Sequence, residues 1–357
     1  MNIKEETKPL KKTKPGIGSI LLFVIITVLT LYAVFHGQDL DQIKGSIGKL
    51  SFPCLLISIF LALFFVCMEG IMIWYLLGAL NGRKSGLLRC ISYSFIGFFY
   101  SGITPSATGG QPMQLYYMNK DKHALSDSSV VLMTVAIIYK FVLAVLGIFM
   151  LIFWFQPLKE HLKGYLGLFI LGLSLNIILV VILLAIMAAP DYMRTIICQA
   201  EQLLVKLRIL KPSAMHMKKI DGFIGGYRNA VQFLLMHKEK VCIVIVLTFL
   251  QRCSVFLLTA VVYRGFSQNG TSFLTVMLLQ AAVTIAVDML PLPGAQGISE
   301  LMYCRIFSGV FSAGYLMPSL YVTRGITFYF LLIFSLLVVV VNQVYRSRSD
   351  IVSFRLF

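Results

Sequence analysis

Two long apolar stretches of this chain are cut in mid-course by clusters of proline and glycine. One cluster reads Thr104-Pro105-Ser106-Ala107-Thr108-Gly109-Gly110-Gln111-Pro112, the other Leu290-Pro291-Leu292-Pro293-Gly294-Ala295-Gln296-Gly297-Ile298-Ser299-Glu300. Proline removes a helical hydrogen bond and glycine weakens a helix, so each cluster ends one. Inside a bilayer the backbone groups freed at such an end survive only where protein or an aqueous cavity covers them. The chain around the breaks is 58% hydrophobic and 13% charged. A soluble domain carries about a quarter charged residues. With repeated apolar runs of about 18 residues or more, this predicts an all-α polytopic membrane protein of about seven or eight hydrophobic segments. One or two of those segments are broken or re-entrant. A pair of breaks, one in each half of the chain, fits an inverted repeat and points to a transport-type binding site.

Other classes of chemistry have little support. The cysteines (Cys54, Cys67, Cys90, Cys198, Cys242, Cys253, Cys304) are scattered without a ligand-like spacing, and they read as small hydrophobes. The histidines (His36, His123, His161, His216, His237) fall in connections and form no metal-binding array. The expectation is therefore no metal and no cofactor. The formal net charge of +16 sits largely in the N-terminal tail and in the 190–240 connection. Positive-inside topology and contact with anionic lipid account for it without nucleic acid.

Charge counting sets the topology. Lys4, Lys8, Lys11, Lys12 and Lys14 make residues 1–16 a basic cytoplasmic tail before a first span over 17–35. A signal peptide would have a shorter apolar core, ~7–15 residues, and a small-residue cleavage site. The connection 36–50 has no net charge and suits the outside. A second span, 52–80, returns to Arg83, Lys84 and Arg89 on the inside. The connection from Pro190 to Lys240 holds nine Lys/Arg against four Asp/Glu and is also placed inside. Spans at 128–155 and 165–188 make one round trip between these anchors. Parity then makes 90–118 a re-entrant hairpin with its tip at Pro105–Pro112. In the second half, a span at 241–263 leads outside, and the tail over 345–357 is basic and inside. The broken segment 272–317 is either a re-entrant hairpin followed by a span at 319–342, or two full spans. The whole of 17–344 reads as one transmembrane domain. Within 190–240, Phe223, Ile224, Tyr227, Val231, Leu234 and Leu235 recur at helical spacing opposite Lys218, Lys219, Asp221 and Arg228. Such a helix lies on the anionic leaflet or packs under the bundle.

Ionisable residues within apolar spans cost ~2.5–3.5 kcal/mol each on insertion scales, so they are functional candidates. Here they are Glu69, Lys140, Arg252 and Asp288, with Glu300, Arg305 and Arg324 just after the second break. A structural role as ion pairs that hold helices together competes with the functional one for Glu69 and Lys140. A helix that starts at a break presents free N–H groups and positive dipole, which suits an anion such as a lipid phosphate. Pro105, Gly109, Gly110, Gln111, Pro112, Pro293, Gly294 and Gly297 are the hinge candidates. Thr108, Gln111, Gln114, Gln296 and Ser299 supply neutral hydrogen-bonding groups. Tyr116, Tyr117 and Tyr303 follow the breaks, where packing is the plainer explanation.

At these residues the chain resembles the transmembrane, flippase-like domain of lysylphosphatidylglycerol synthases, the multiple peptide resistance factor family, and its stand-alone relatives. Pro291 to Glu300 looks like that family's P-x-P-G-G-x-G-x-x-E signature, with Ala295 where a second glycine is usual. Gly97 to Tyr117 resembles the family's other Pro/Gly segment, with Gln114 where many members carry an acidic-then-basic pair. The resemblance implies a membrane protein of the bacterial cytoplasmic membrane that binds and moves a phospholipid, or an aminoacylated or glycosylated lipid. Full-length synthases add a soluble aminoacyltransferase domain; this chain ends about 15 residues after its last span, and the expectation is that it lacks that domain. The competing readings are a membrane-embedded phosphatidylglycerol lysyltransferase activity, and a scaffold for a separate synthase or glycosyltransferase. No reactive constellation within the spans favours an enzyme, and no Walker motif supplies ATP drive. The lipid's identity, the drive and homo-oligomerisation stay open at this level.

Overall fold

A computed structural model describes residues 45–81, 86–104, 107–162, 164–206, 214–290 and 297–355. The expected span over 17–35, the N-terminal tail, Pro105, Pro293 and Gly294 lie outside them. The helices run α1 (Phe52–Asn81), α2 (Leu87–Ile103), α3 (Gly110–Lys120), α4 (Leu125–Phe153), α5 (Phe155–Leu162), α6 (Leu166–Ala188), α7 (Pro190–Lys206) and α8 (Ala214–Met236). They continue with α9 (Lys238–Gly265), α10 (Phe273–Val287), α11 (Ile298–Phe307), α12 (Ala313–Arg324), a π-helix over Gly325–Phe330, and α13 (Leu331–Arg355). Among the described residues, five stretches are long and apolar enough to cross a bilayer: Phe52–Leu80, Leu125–Phe153, Leu166–Ala188, Lys238–Gly265 and Gly314–Tyr345. The chain is a multi-pass α-helical membrane protein.

Both breaks turn the chain back on itself. The Gln114 amide fills the space where a Cβ on Gly97 would stand, and Ser101 fills that of Gly110. At the open end, Tyr93 donates to Asp121 over 2.5 Å and Arg89 approaches the same carboxylate at 3.9 Å. Contacts 101 to 110, 97 to 114 and 93 to 121 describe an antiparallel hairpin, α2–α3. The second hairpin, α10–α11, is built likewise. Its entry loop and exit meet, because the Ser312 hydroxyl donates to Gln268 and Tyr263 packs edge-on against Phe311. At about 1.5 Å per residue, α10 and α11 are about 22 and 15 Å long, short of a hydrocarbon core of about 30 Å.

The two halves repeat. Corresponding helices start 186 residues apart from Phe52 to Lys238 and from Leu87 to Phe273. They start 188 apart from Gly110 to Ile298 and from Leu125 to Ala313. Helix α1 thus corresponds to α9, hairpin α2–α3 to α10–α11, and α4 to the α12–π–α13 span. The corresponding helices α1 and α9 pack together and run antiparallel. Tyr75 meets Lys240, Met72 meets Thr248, the Phe65 carbonyl meets Gln251, and Cys54 meets Gly265. The repeat is therefore inverted. Hairpin α2–α3 opens at the end where α9 starts, and hairpin α10–α11 opens at the end where α9 finishes.

Helix α6 inserts beside α10 with no side chain between them at one point. A Cβ on Gly172 would lie 2.3 Å from the Ile285 carbonyl oxygen. Helix α8 resolves the two placements open for it. Ile224, Tyr227, Ala230, Val231 and Leu234 are buried, Tyr227 donates to the Met133 sulfur on α4 and Gly226 abuts Ser126. Of the predicted apolar stripe, Leu235 stays exposed. Helix α7 joins α8 through Arg194–Asp221 and Arg228–Asp191, both solvent-exposed pairs.

Candidate functional site

Charged side chains from four helices converge where the hairpin tips meet the halves' long spans. Lys140 and Tyr139 on α4 both donate to the carboxylate of Asp288, one to each oxygen. Asp288 caps the C-terminal end of α10, directly before the break. The Lys140 and Asp288 side chains are 14% and 15% exposed, so each depends on the other to offset desolvation. Beside them, the Arg252 guanidinium on α9 lies 3.8 Å from the Tyr139 ring centre and 4.5 Å from that of Phe65. It is held between two aromatic faces, a geometry that suits a planar, weakly hydrated cation. Its Nη2 donates to Gln251 over 3.2 Å, while its Nε is buried with no hydrogen-bond partner. Gln251 in turn donates to the Phe65 carbonyl. Glu69 on α1 accepts from the Gln114 amide at 2.6 Å, and it and Asp288 both act electrostatically on Arg252.

A second group forms at the start of α11. Gly297 has φ +81°, which glycine tolerates, and its N–H donates to Glu300 over 2.5 Å. The Ser299 hydroxyl and Arg324 add bonds of 3.0 and 2.8 Å to the same carboxylate. Arg324 immediately precedes the π-helix, an element that recurs at functional positions.

One cavity of about 180 Å³ joins the two groups. Arg252, Arg324, Thr284 and Thr327 are its polar lining. Ala62, Phe65, Phe98, Val255, Phe256, Phe328 and Leu331 are the apolar part, and among the described residues no carboxylate lines it. The walls come from both halves: α1, α2, α9, α10, α12, the π-helix and α13.

Of the residues singled out in the sequence, Glu69, Lys140, Arg252 and Asp288 are brought together. Glu300 joins the neighbouring group through Arg324. Arg305 stands apart: it is exposed on α11, with its guanidinium 6.0 Å from the Tyr165 ring. Gly109 donates its N–H to Thr104, Gly110 packs on Ser101, and Gln111 and Pro112 are exposed. Tyr139 was not among the candidates, because a tyrosine in an apolar helix reads as packing. Its place next to Lys140 was the available signal. Tyr303 is buried and donates to Ser319, which supports the packing explanation for it. The seven cysteines are free thiols.

An inverted pair of broken-helix hairpins around a basic, apolar-walled cavity defines a class of multi-pass membrane proteins. This chain belongs to the family described as the lysylphosphatidylglycerol synthase TM region, whose model matches residues 18–335. It is also 28% identical over 274 residues to a UPF0104 membrane protein of Pyrococcus horikoshii, an alignment covering 71% of this chain and 77% of that protein.

Proposed function

We propose that the protein translocates a lipid with an anionic headgroup, whose phosphate binds between Arg252 and Arg324 while the acyl chains stay in the bilayer. The observation that carries this reading is the cavity lining: two guanidinium groups and two hydroxyls, apolar walls and, among the described residues, no carboxylate. Arginine matches phosphate geometry with paired donors, and the buried Arg252 Nε has no hydrogen-bond partner. At about 180 Å³ the cavity is below the roughly 300–1,000 Å³ of drug-sized pockets, which suits a headgroup and excludes acyl chains. The inverted hairpins give the cavity one potential gate toward each face of the membrane. The reading places the protein in the bacterial cytoplasmic membrane. Arg89, Lys120, Lys122, Lys238, Lys240 and the α7–α8 pair gather at one end, and positive-inside bias puts that end in the cytoplasm.

The test is reconstitution into liposomes containing fluorescent phosphatidylglycerol, with dithionite quenching the outer leaflet. Wild type should abolish the protected inner-leaflet pool, and Arg252→Ala and Arg324→Ala should preserve it. A wild type indistinguishable from empty liposomes, with lysylphosphatidylglycerol and neutral lipids tried as well, would reject translocation. Retention of a separately encoded synthase on the purified protein would then favour a scaffolding role.

A further inference from the structure

The ionisable side chains between the hairpin tips carry no net charge among the described residues: Glu69, Asp288 and Glu300 balance Lys140, Arg252 and Arg324. On the translocation reading above, an anionic headgroup that enters the cavity leaves this group one charge negative inside an apolar bundle. Uncompensated charge in such surroundings is costly and is relieved by taking up a proton. We infer that binding of the anionic headgroup is coupled to uptake of one proton from water, and that Asp288 is the carboxylate that receives it.

The three carboxylates are not equivalent. Glu300 accepts from the Gly297 N–H and the Ser299 hydroxyl at one oxygen and from the Arg324 guanidinium at the other; neither the N–H nor the guanidinium can act as an acceptor, so a proton on either oxygen would sacrifice a bond despite the hydroxyl. Glu69 is bound to the neutral Gln114 amide, and a proton there would break no ion pair. Asp288 differs on both counts. Its partner Tyr139 is a hydroxyl, which can donate to the carboxylate and accept from the carboxylic acid. Its other partner is Lys140, whose charge then becomes available to offset the headgroup. The balance closes: the headgroup brings one negative charge, the proton one positive, and the carboxylate becomes a neutral acid.

The neighbours of Asp288 are consistent with this assignment. Tyr139 and Lys140 face it from α4, Arg252 acts on it from α9, α6 carries no ionisable residue, and Glu300 on α11 is engaged with Arg324. Thr284, one turn earlier on α10, lines the cavity itself. The position also has a mechanical consequence. Asp288 ties the inner end of hairpin α10–α11 to α4, so neutralising it weakens that attachment. The equivalent junction of the other hairpin, Gly102 against Phe328 and Leu332, holds no charge and would not respond.

The experiment uses purified protein in phosphatidylcholine liposomes that carry fluorescent phosphatidylglycerol and a sealed-in pH dye. Wild-type lipid movement should accelerate about tenfold per unit of acidification on its alkaline limb, as for one proton per event, and the dye should report protons moving with lipid. Asp288→Asn should flatten the pH dependence of whatever flux remains, whereas Glu69→Gln should keep the slope. Wild-type lipid movement with no pH slope and no dye signal overturns the coupling and leaves translocation standing. A slope retained in Asp288→Asn overturns the assignment of the site. No wild-type lipid movement at any pH overturns both readings. Should Asp288→Asn fail to fold, the wild-type slope and dye signal decide.

Discussion

Gly102 and Asp288 occupy equivalent positions in the two inverted halves, 186 residues apart at the inner end of each hairpin's first helix. Gly102 rests on Phe328 and Leu332, whereas Asp288 is bound by Tyr139 and Lys140. Tyr139 and Lys140 are themselves the 188-residue equivalents of Thr327 and Phe328. One junction of the repeat is therefore apolar and its twin is ionic. The backbone is nearly symmetric and the chemistry is not.

Arg252 should not be replaceable by lysine. An ammonium cannot stack as a plane between Phe65 and Tyr139, nor offer paired donors to a phosphate. Arg252→Lys is expected to lose most of the lipid movement that Arg252→Ala loses, a cost of about 2–5 kcal/mol for breaking a desolvated charge contact. Dithionite protection measured on both variants, at equal reconstituted amounts, checks this.

Tyr139→Phe keeps the ring under Arg252 but removes the hydroxyl that donates to Asp288. A stability loss of about 1–3 kcal/mol is expected for the under-satisfied carboxylate. Tyr139→Ala should cost more, since it also removes the platform of Arg252. Thermal unfolding in detergent, followed by aggregation onset, orders the two variants.

Glu300 and Arg324 form a partly buried pair, with side chains 25% and 19% exposed. Removing either alone leaves a charge beside the cavity. The double variant Glu300→Gln/Arg324→Gln should therefore be more stable than the sum of the single variants implies, with a coupling of about 0.5–3 kcal/mol. A double-mutant cycle on unfolding midpoints measures it; strict additivity would show that the pair does not interact.

Gly172→Ala should disturb the bundle more than its size suggests. The added carbon would meet the Ile285 carbonyl at 2.3 Å, and backbone there cannot rotate away. Overpacking of this kind costs about 1–3 kcal/mol. The expected signature is a lower unfolding midpoint in detergent with the helical content of the folded protein retained.

Tyr227→Ala should release α8 from α4 without unfolding the spans. The side chain is fully buried and touches Met133. Loss of a buried aromatic costs about 3–5 kcal/mol. Hydrogen exchange should rise over 214–236 and remain low over 238–265.

The membrane class, the two helix breaks and four members of the charged cluster were legible in the sequence, because each rests on a local cost; whether 272–317 folds back or crosses twice was not. Proline and glycine end helices wherever they fall, and a charge in an apolar run must find a partner. The rest depended on helical phase and on distance in sequence. Arg305 and Arg324 both follow the second break, but Arg305 lies five residues beyond Glu300 on a short helix, roughly 140° around it at 3.6 residues per turn. It faces away while Arg324 reaches back from the next helix. Nor could the repeat be read from residue identities, since equivalent positions hold Asp288 and Gly102, or Lys140 and Phe328. The repeat lies in helix lengths and spacing, which become visible only when the elements are laid out.

Among the described residues, helix α6 is the one long span without a counterpart in the repeat, and its value lies in parity. The first half begins at one end of the bundle and, through α1 and α4, finishes there. A second copy attached directly would enter from that same end and stand the same way up, with both hairpins facing one compartment. A single additional crossing carries the chain to the opposite end before α9 begins, so the second copy is threaded upside down. That odd crossing converts a tandem duplication into a two-sided machine, and any rearrangement that removed it would leave one face of the membrane without an entrance.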